Sequence, residues 1–304
     1  MPTPPSLLAA ARIALSVVAL AGCATDADGP APEPAREVAQ QPPPRVVTVE
    51  HRASLARPIA AAGYQGVFVV LDPASETMIV SDPELAERGF IPASTFKIPN
   101  SLIALEIGVA DSPAFRLPWD GVERWASDWN RDHDLRSAFR VSAVWYYQEL
   151  ARQIGEQQMA RWLTAADYGN ADSSGDIDMF WLNGKLRISP REQVEFLRRV
   201  HEGQSPFRAE VVASFLNEVM MDEQRDGVTI RAKTGWGCSQ DFADPATAGF
   251  EGHVGWYVGS VEQADGSRVY FATLLLTPEP APETFYTDRR ELTGVLLREL
   301  GHLE

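Results

Sequence analysis

The chain has 304 residues, of which 45% are hydrophobic, with eight Trp and thirteen Phe, so it can bury a substantial core and is not an intrinsically disordered protein. Its formal net charge of −15 at pH 7 argues against a nucleic-acid partner, because nucleic-acid-binding domains favour a basic surface. The acidity instead favours small partners that are neutral or cationic.

Residues 1–23 resemble a signal segment that directs export. Arg12 supplies a positive charge, and residues 13–22 form an uncharged apolar run that is too short to span a bilayer as a stable helix. The segment ends in Leu20-Ala21-Gly22-Cys23, which resembles the lipobox of bacterial lipoproteins, where the cysteine is lipidated and becomes the mature N-terminus. The following Ala24-Thr25 resembles the type sorted to the outer membrane. This implies a periplasmic protein that meets the membrane only through a lipid on Cys23; a plain cleaved signal is the alternative.

Residues 24–45 are rich in Pro, Ala and charge and show no periodicity, which predicts an extended tether. The folded domain is therefore expected over residues 46–304. Cys238 is the second of the two cysteines in the sequence, so no intramolecular disulfide is available if Cys23 is lipidated. We then expect stability to come from the core rather than from covalent links.

Strand and helix patterns follow one another in blocks along the rest of the chain. Apolar runs at 66–71 and 77–80 are separated by Asp72-Pro73 and the residues after it, which predicts a β-hairpin. Helical periodicity comes next, and strand patterns return before a last helix. Helices are predicted at 101–110, 143–155, 191–203, 208–221 and about 288–300, and strands at 228–233, 253–258 and 269–276.

This order of elements predicts an α+β fold. We expect the late strands to pair with the early hairpin in an antiparallel sheet, which is built from both chain ends and flanked by helices. A helical subdomain is then inserted between the early and the late strands. A cleft between the sheet and the helical subdomain is then the natural place for a functional site.

Ser94 and Lys97 occur in the stretch ASTFKIPN, residues 93–100, where a helix is expected to begin. Residues at positions i and i+3 share one face of a helix, so the hydroxyl and the amine can meet over one point. The spacing by itself is a weak signal, because Ser is a preferred N-cap and Lys is a good helix former.

Further short motifs lie at the borders of the predicted elements. They are Ser142-Ala143-Val144, Tyr168-Gly169-Asn170, Phe180-Trp181-Leu182 and Lys233-Thr234-Gly235, within longer phrases such as AKTGWG at 232–237. Together with Ser94 and Lys97, and in this order, these motifs resemble the class D serine β-lactamases, or oxacillinases, within the penicillin-recognising SxxK family. The resemblance extends over roughly residues 60–300 and implies a β-lactamase/transpeptidase-like domain that hydrolyses β-lactams.

The chemistry of such a site explains the lysine. A serine hydroxyl needs a base within hydrogen-bond reach, and an ordinary lysine is protonated and useless as that base unless burial lowers its pKa. The resemblance implies that Lys97 is N-carboxylated by carbon dioxide, with no other cofactor, and that the carbamate is the general base. Trp181 is then the N–H donor that holds it, with simple core packing as the alternative. Apolar neighbours expected to wall the pocket are Phe96, Val144, Trp181 and Leu182.

The resemblance also implies roles for the remaining motif residues. Ser142 would pass protons towards the leaving nitrogen, although it could also be an ordinary N-cap. Lys233 and Thr234 would face the substrate carboxylate, and Gly235 would let the substrate approach the backbone. The backbone N–H groups of Ser94 and Trp236 would form the oxyanion hole. A carboxylate-binding arginine is expected near the C-terminus, either Arg289 or Arg290, and the spacing to Leu292-Thr293 favours Arg289.

Two other functions share parts of this pattern. A penicillin-binding DD-peptidase has the same serine, lysine and KTG strand, and a β-lactam sensor domain is closely related to class D. The YGN and FWL motifs favour an enzyme of the oxacillinase type over a peptidase, and a sensor would need transmembrane and effector regions that we do not expect in this sequence. No metal site is expected: the five histidines show no ligand spacing, and the acidic residues at 172, 176 and 178 lack a calcium-loop pattern.

Overall fold

The computed structural model describes residues 46–238 and 252–304. The predicted signal segment, Cys23 and the predicted tether at 24–45 lie outside these residues. Across the two described ranges, no helix is both long enough and apolar enough to cross a bilayer.

Within the described residues, seven strands form one sheet and two more form a separate small pair. The strands of the sheet are β1 Thr48–His51, β2 Gln65–Asp72, β3 Thr77–Val80, β6 Met221–Arg225, β7 Val228–Cys238, β8 His253–Glu262 and β9 Arg268–Thr277, and the small pair is β4 Arg116–Leu117 with β5 His133–Asp134. The order in the sheet is β1-β3-β2-β9-β8-β7-β6. Strand β2 from the N-terminal part pairs antiparallel with β9 from the C-terminal part, which confirms a sheet built from both chain ends. The pairs in the sheet are antiparallel except at one edge, where β1 runs parallel to β3.

The helices lie on both faces of the sheet, with most of them in the block between β3 and β6. Several begin at side-chain caps that the sequence supplies, such as the capping box between Ser189 and Glu192, where Pro190 occupies the first helical position. The helices are α1 Ala56–Ala61, α2 Pro83–Glu87, α3 Lys97–Glu106, α4 Leu135–Arg140, α5 Val144–Ile154, α6 Glu156–Ala165, α7 Pro190–His201, α8 Ala209–Ser214 and α9 Phe285–Glu299.

Strand β2 separates two hydrophobic cores because its side chains alternate between the faces of the sheet. Val67, Val69 and Leu71 belong to the core shared with the helical block. Phe68 and Val70 belong to the core shared with α1 and α9. All five side chains are essentially inaccessible to solvent, so this strand is central and its register is fixed on both faces.

Each element predicted from the sequence is present in the structure except around residue 220, but several elements were not predicted: α1, α2, α4, α6 and the short strands β1, β4 and β5. The hairpin, the three late strands and the last helix are confirmed, with boundaries that differ by a few residues. The single helix predicted at 208–221 was wrong in its second half, because α8 ends at Ser214 and a π-helical turn, Phe215–Val219, follows it. Met221 then begins β6, a strand missed from the sequence although the Asp226-Gly227 turn that joins it to β7 is a typical hairpin signal.

Candidate active site

Ser94 lies in a single turn of 3-10 helix, Ala93–Phe96, that leads directly into α3. Ser94 is half-buried, whereas the residues beside it in the turn are buried. Pro92, not Ser94, occupies the N-cap position, and no side chain caps the turn. Ala93 has a φ of 47°, in the left-handed region that residues with a Cβ rarely adopt, so the backbone before the serine is strained. The turn thus leaves Ser94 partly accessible to solvent at the border of a buried segment.

Lys97 is the first residue of α3, and its side chain is completely buried. Its Nζ donates a hydrogen bond to Ser94 Oγ over 2.9 Å. Burial lowers the pKa of Lys97 from the ordinary 10.5 to about 7, because a charged amine loses its hydration there. The predicted meeting of hydroxyl and amine over one face is therefore present in the structure, and near neutral pH the amine can act as a base.

An aromatic wall surrounds the Lys97 turn. Phe96 stacks on Trp181, with ring centroids 5.1 Å apart, and meets Phe180 and Tyr168 edge-on. The backbone N–H of Ala93 donates to the carbonyl of Trp181 over 3.1 Å. The indole Nε1 of Trp181 is buried and has no hydrogen-bond partner among the described residues. A buried donor without an acceptor is costly, so this N–H marks a place for an acceptor group.

The loop that carries Trp181 is held closed at its base by the YGN motif. Asn170 donates to the carbonyl of Lys185 and accepts from the backbone N–H of Arg187, each over 2.9 Å. Gly169 has a φ of 54°, and a Cβ there would lie 2.0 Å from the Arg187 carbonyl oxygen. The motif therefore acts on the site indirectly, by closing the loop that positions Trp181.

Ser142 lies in the turn between α4 and α5, as the sequence suggested, but it does not cap a helix. The N-cap of α5 is Ala143, which makes no side-chain capping bond. Ser142 has a φ of 59°, the left-handed conformation that usually requires glycine after a helix. Val144, the first residue of α5, is half-buried, and Tyr147 on the same helix places its ring centre 5.1 Å from Lys97 Nζ. Helix α5 thus connects the Ser142 turn to the lysine.

Lys233 and Thr234 lie on β7, beside the turn that carries Ser94. Lys233 is buried, and its Nζ donates to the Thr234 carbonyl over 2.9 Å. The pKa of Lys233 is lowered well below its ordinary value, chiefly by burial and secondly by the positive charge of Lys97. A neutral Lys97 removes that repulsion, so loss of the proton at Lys97 favours the cationic form of Lys233.

Gly235 has a packing role that the motif alone did not indicate. A Cβ at this position would lie 3.0 Å from the Pro92 carbonyl oxygen and 3.1 Å from the Thr95 methyl group. Glycine therefore lets β7 press against the Ser94 turn, and this contact brings the KTG strand and the SxxK turn together.

The two candidate arginines have different partners. Arg289 is buried, and its guanidinium donates to the Gly235 carbonyl and, over 3.1 Å, to the Tyr286 carbonyl. Burial lowers the pKa of Arg289 from its ordinary value to about 10, so the guanidinium stays cationic at neutral pH. Arg290 instead makes two hydrogen bonds of 2.8 Å to Asp222. The geometry favours Arg289, because it reaches the KTG strand.

The family model for the penicillin binding protein transpeptidase domain matches residues 66–290. β-Lactamase OXA-2 of Salmonella typhimurium is 38% identical over 241 residues, which cover 79% of this chain and 81% of that protein. β-Lactamase OXA-48 of Klebsiella pneumoniae is 42% identical over 66% of this chain and 72% of its own length. The chain belongs to the class D β-lactamases. It is thus a β-lactam hydrolase within the penicillin-binding transpeptidase family.

Solved class D β-lactamases share the fold. FUS-1 (OXA-85) from Fusobacterium nucleatum subsp. polymorphum superimposes with a TM-score of 0.75 at 29% identity, covering 84% of this chain and all of that one. The class D β-lactamase from Sebaldella termitidis gives 0.76 at 30% identity, covering 85% and 100%. The mixed sheet with flanking helices is therefore the class D β-lactamase fold.

Two residues that support the class D site were missed from the sequence. Gly255 on β8 leaves space for Arg289, since a Cβ there would lie 2.8 Å from the Arg289 Cδ. Gln193 on α7 donates to Thr95 Oγ1 over 2.8 Å, and that hydroxyl donates to the Pro92 carbonyl over the same distance. Gln193 thereby stabilises the Ser94 turn, although the two are about a hundred residues apart in the sequence. Gly255 begins the sequence GWYVG at residues 255–259, which is a usable signal, whereas nothing in the sequence singled out Gln193.

Proposed function

We propose that the protein hydrolyses penicillin-type β-lactams through an acyl-enzyme on Ser94, with Lys97 supplying the general base in an N-carboxylated form. The observation that carries the proposal is the pair formed by Ser94 Oγ and the buried Lys97 Nζ, 2.9 Å apart, beside the unpartnered indole N–H of Trp181. The pair supports covalent catalysis at serine, and the unpartnered donor supports an acceptor group added to the lysine.

The site fits a carboxyl group on Lys97 in two respects. The amine is fully buried with a pKa near 7, so a large neutral fraction is available to combine with carbon dioxide. Trp181 offers a buried donor that no other described group uses. When present, the carboxyl group supplies an anionic oxygen that can take a proton from a hydroxyl or a water.

Acylation joins Ser94 Oγ to the lactam carbonyl carbon and breaks the ring C–N bond. The Ser94 hydroxyl proton leaves towards the Lys97 side chain, and the ring nitrogen accepts a proton, for which Ser142 is the proposed relay. Water then cleaves the ester, which frees Ser94 and releases the ring-opened acid. The backbone N–H groups of Ser94 and Trp236 are the proposed donors to the oxygen that becomes negative in each step.

The substrate carboxylate would bind beside β7, where three polar groups converge. Lys233 supplies an amine and Thr234 a hydroxyl, and Arg289 adds a cation behind Gly235. A wholly uncharged substrate would leave the buried Arg289 cation without a counterion, so the site favours β-lactams that carry an acidic group next to the ring nitrogen.

A mass-spectrometric trapping experiment tests this function. Reaction of the protein with a slowly hydrolysed penicillin should give one adduct that maps to the peptide containing Ser94, and the adduct should decay faster when bicarbonate is present. A stable adduct with no catalytic turnover at any bicarbonate concentration would favour the sensor alternative. An adduct on another residue would exclude Ser94 as the nucleophile.

We also propose that the protein is exported and tethered in the periplasm through a lipid on Cys23. The support is the Leu20-Ala21-Gly22-Cys23 sequence and the Pro-rich stretch that follows it. A Cys23→Ser variant expressed in a Gram-negative host should move the β-lactamase activity from the membrane fraction to the released fraction. Unchanged membrane association in that variant would contradict the lipid anchor.

A further inference from the structure

At one end of the sheet, the last residues of β7 and β9 lie beside the first residue of β8. This place brings together a thiol, an imidazole and a carboxylate. Cys238, the last residue of β7, pairs directly with His253, the first residue of β8. His253 pairs in turn with Thr277, the last residue of β9, and Glu279 follows two residues later. Directly paired residues on adjacent strands place their side chains on one face, a few ångströms apart.

The side chains converge at their functional atoms as well as at the backbone. Glu279 Oε1 lies 2.9 Å from His253 Nε2 and 3.3 Å from Cys238 Sγ. One ligand atom from each residue lies within 4.8 Å of those of the other two. In a tetrahedral zinc shell, adjacent ligand atoms are about 3.3 to 3.6 Å apart, given metal–ligand distances of about 2.0 to 2.3 Å. Small side-chain rotations would therefore open the cluster to the required size.

The cluster also has the access that a metal site needs. The Glu279 side chain is 42% exposed and that of His253 is 12% exposed, so one side of the group faces solvent and the other faces the protein. Sulfur, nitrogen and oxygen donors of this kind are the ligands that Zn²⁺ takes in proteins, and three protein ligands leave a fourth position for water.

We propose that Cys238, His253 and Glu279 bind one thiophilic divalent cation, for which Zn²⁺ is the probe, with water as the fourth ligand. The ligand atoms would be Cys238 Sγ, His253 Nε2 and one Glu279 carboxylate oxygen. The thiol of Cys238 would release its proton to solvent and bind as the thiolate. The site is separate from the Ser94 and Lys97 pair, and the proposal does not depend on the mechanism of β-lactam hydrolysis.

The cation would compete with a hydrogen bond made by Trp236. The Trp236 indole Nε1 donates to His253 Nδ1 over 3.0 Å, which requires Nδ1 to be unprotonated. A neutral imidazole that binds a cation through Nε2 carries its proton on Nδ1. Nδ1 would then be a donor, so it could not accept a hydrogen bond from the indole N–H. Metal binding and the Trp236 contact therefore exclude each other, and the cation should displace an indole that is 42% exposed.

Zinc titration in competition with a chromophoric chelator tests the site directly. The full chain would be used in a Cys23→Ser background, so that Cys238 is its one thiol. The expected result is one Zn²⁺ per chain, with the affinity reduced at least about 100-fold by Cys238→Ser, by His253→Gln and by Glu279→Gln. This loss should match or exceed the roughly 10- to 100-fold effect of changing an outer partner of a metal ligand. The exposed His51 supplies a matched control, and His51→Gln should bind Zn²⁺ as the parent does.

Tryptophan fluorescence tests the competition with Trp236. Zn²⁺ should change the emission of the parent protein, whereas Trp236→Phe should bind at least as tightly without that change, because it lacks the competing N–H. Circular dichroism would establish that each variant is folded before titration. Two results would overturn the proposal: stoichiometric Zn²⁺ binding by the Cys238→Ser variant, or no Zn²⁺ binding by the folded parent. The three side chains would then serve as a hydrogen-bonded group that holds Trp236 in place.

Discussion

Lys97 donates from Nζ to Ser94 Oγ over 2.9 Å, with the lysine fully buried and the serine half-buried. The burial lowers the lysine pKa, and the half-exposed serine remains open to a substrate. The pairing of an accessible nucleophile with an inaccessible base is possible because Ser94 lies in the 3-10 turn before α3, whereas Lys97 begins the buried helix itself.

The first prediction concerns the nucleophile. Ser94→Ala should lower kcat roughly 10⁴-fold or more, because removal of a covalent nucleophile leaves only binding and oxyanion stabilisation. Binding of penicillin should persist, with no mass adduct. Ser112→Ala, which removes a hydroxyl bonded to Asp111, should keep full turnover. A penicilloyl adduct on the Ser94→Ala protein is the result that would refute the assignment.

The second prediction concerns pH. In the folded protein the pKa of Lys97 is about 7, so the amine is protonated below that pH and increasingly neutral above it. Turnover should therefore fall as the pH decreases through about 7, and added bicarbonate should restore part of it where the neutral amine is still present. Initial rates across pH 5 to 9, with and without bicarbonate, measure this. A profile without any bicarbonate response would show that Lys97 works as a free amine.

The third prediction concerns stability. The unfolded chain binds a proton at Lys97 up to about pH 10.5, whereas the folded protein releases it above about 7, so this residue lowers stability most at pH 7 and below. In bicarbonate-free buffer, where Lys97 is a free amine, Lys97→Met should raise the free energy of unfolding by a few kcal/mol at pH 7, since each pKa unit is worth about 1.36 kcal/mol. The gain should shrink towards pH 10, while activity is lost at every pH. Denaturant unfolding at the two pH values checks the sign, and equal gains at both would contradict it.

The fourth prediction concerns the Trp181 indole. Trp181→Phe should keep the stacking on Phe96 but lose the N–H, so an initial burst of product should be followed by slow turnover as the acyl-enzyme accumulates. Trp162→Phe is the matched control, because Trp162 also has a buried unpartnered Nε1 and stacks on Phe207 at 5.5 Å. Stopped-flow measurement of both variants separates acylation from deacylation. If the two variants behave alike, the Trp181 N–H has no specific role.

The fifth prediction separates the two arginines. Arg289→Ala should raise KM at least about tenfold for a penicillin with a free carboxylate, because a charge-assisted contact worth roughly 1.5 to 3 kcal/mol is removed. Arg290→Ala should have little effect, since its partner is Asp222. The methyl ester of the same penicillin should be hydrolysed equally by the parent and by Arg289→Ala. A loss of the same size for acid and ester would mean that Arg289 only supports the fold.

The sequence by itself determined the central strands, several of the helices and the residue types of the site. The continuous apolar run in β2 and the patterns of the three late strands could be read from the sequence, because short apolar runs bounded by turn residues are typical of buried strands. The Ser94 to Lys97 spacing was equally local, since a helical turn brings i and i+3 together without help from the rest of the chain. The π-helical turn and β6 were missed because packing there overrides an apparently continuous helical pattern.

The tertiary structure alone decided burial, close approach and partner choice. The low pKa of Lys97 and the unpartnered Trp181 N–H depend on walls supplied by distant segments. Arg289 and Arg290 are adjacent in sequence, yet α9 directs one to Gly235 and the other to Asp222. Cys238, His253 and Glu279 meet because sheet register aligns three strand ends, and no linear spacing records that alignment. Such properties arise from contacts between residues far apart in the chain, which local patterns do not encode.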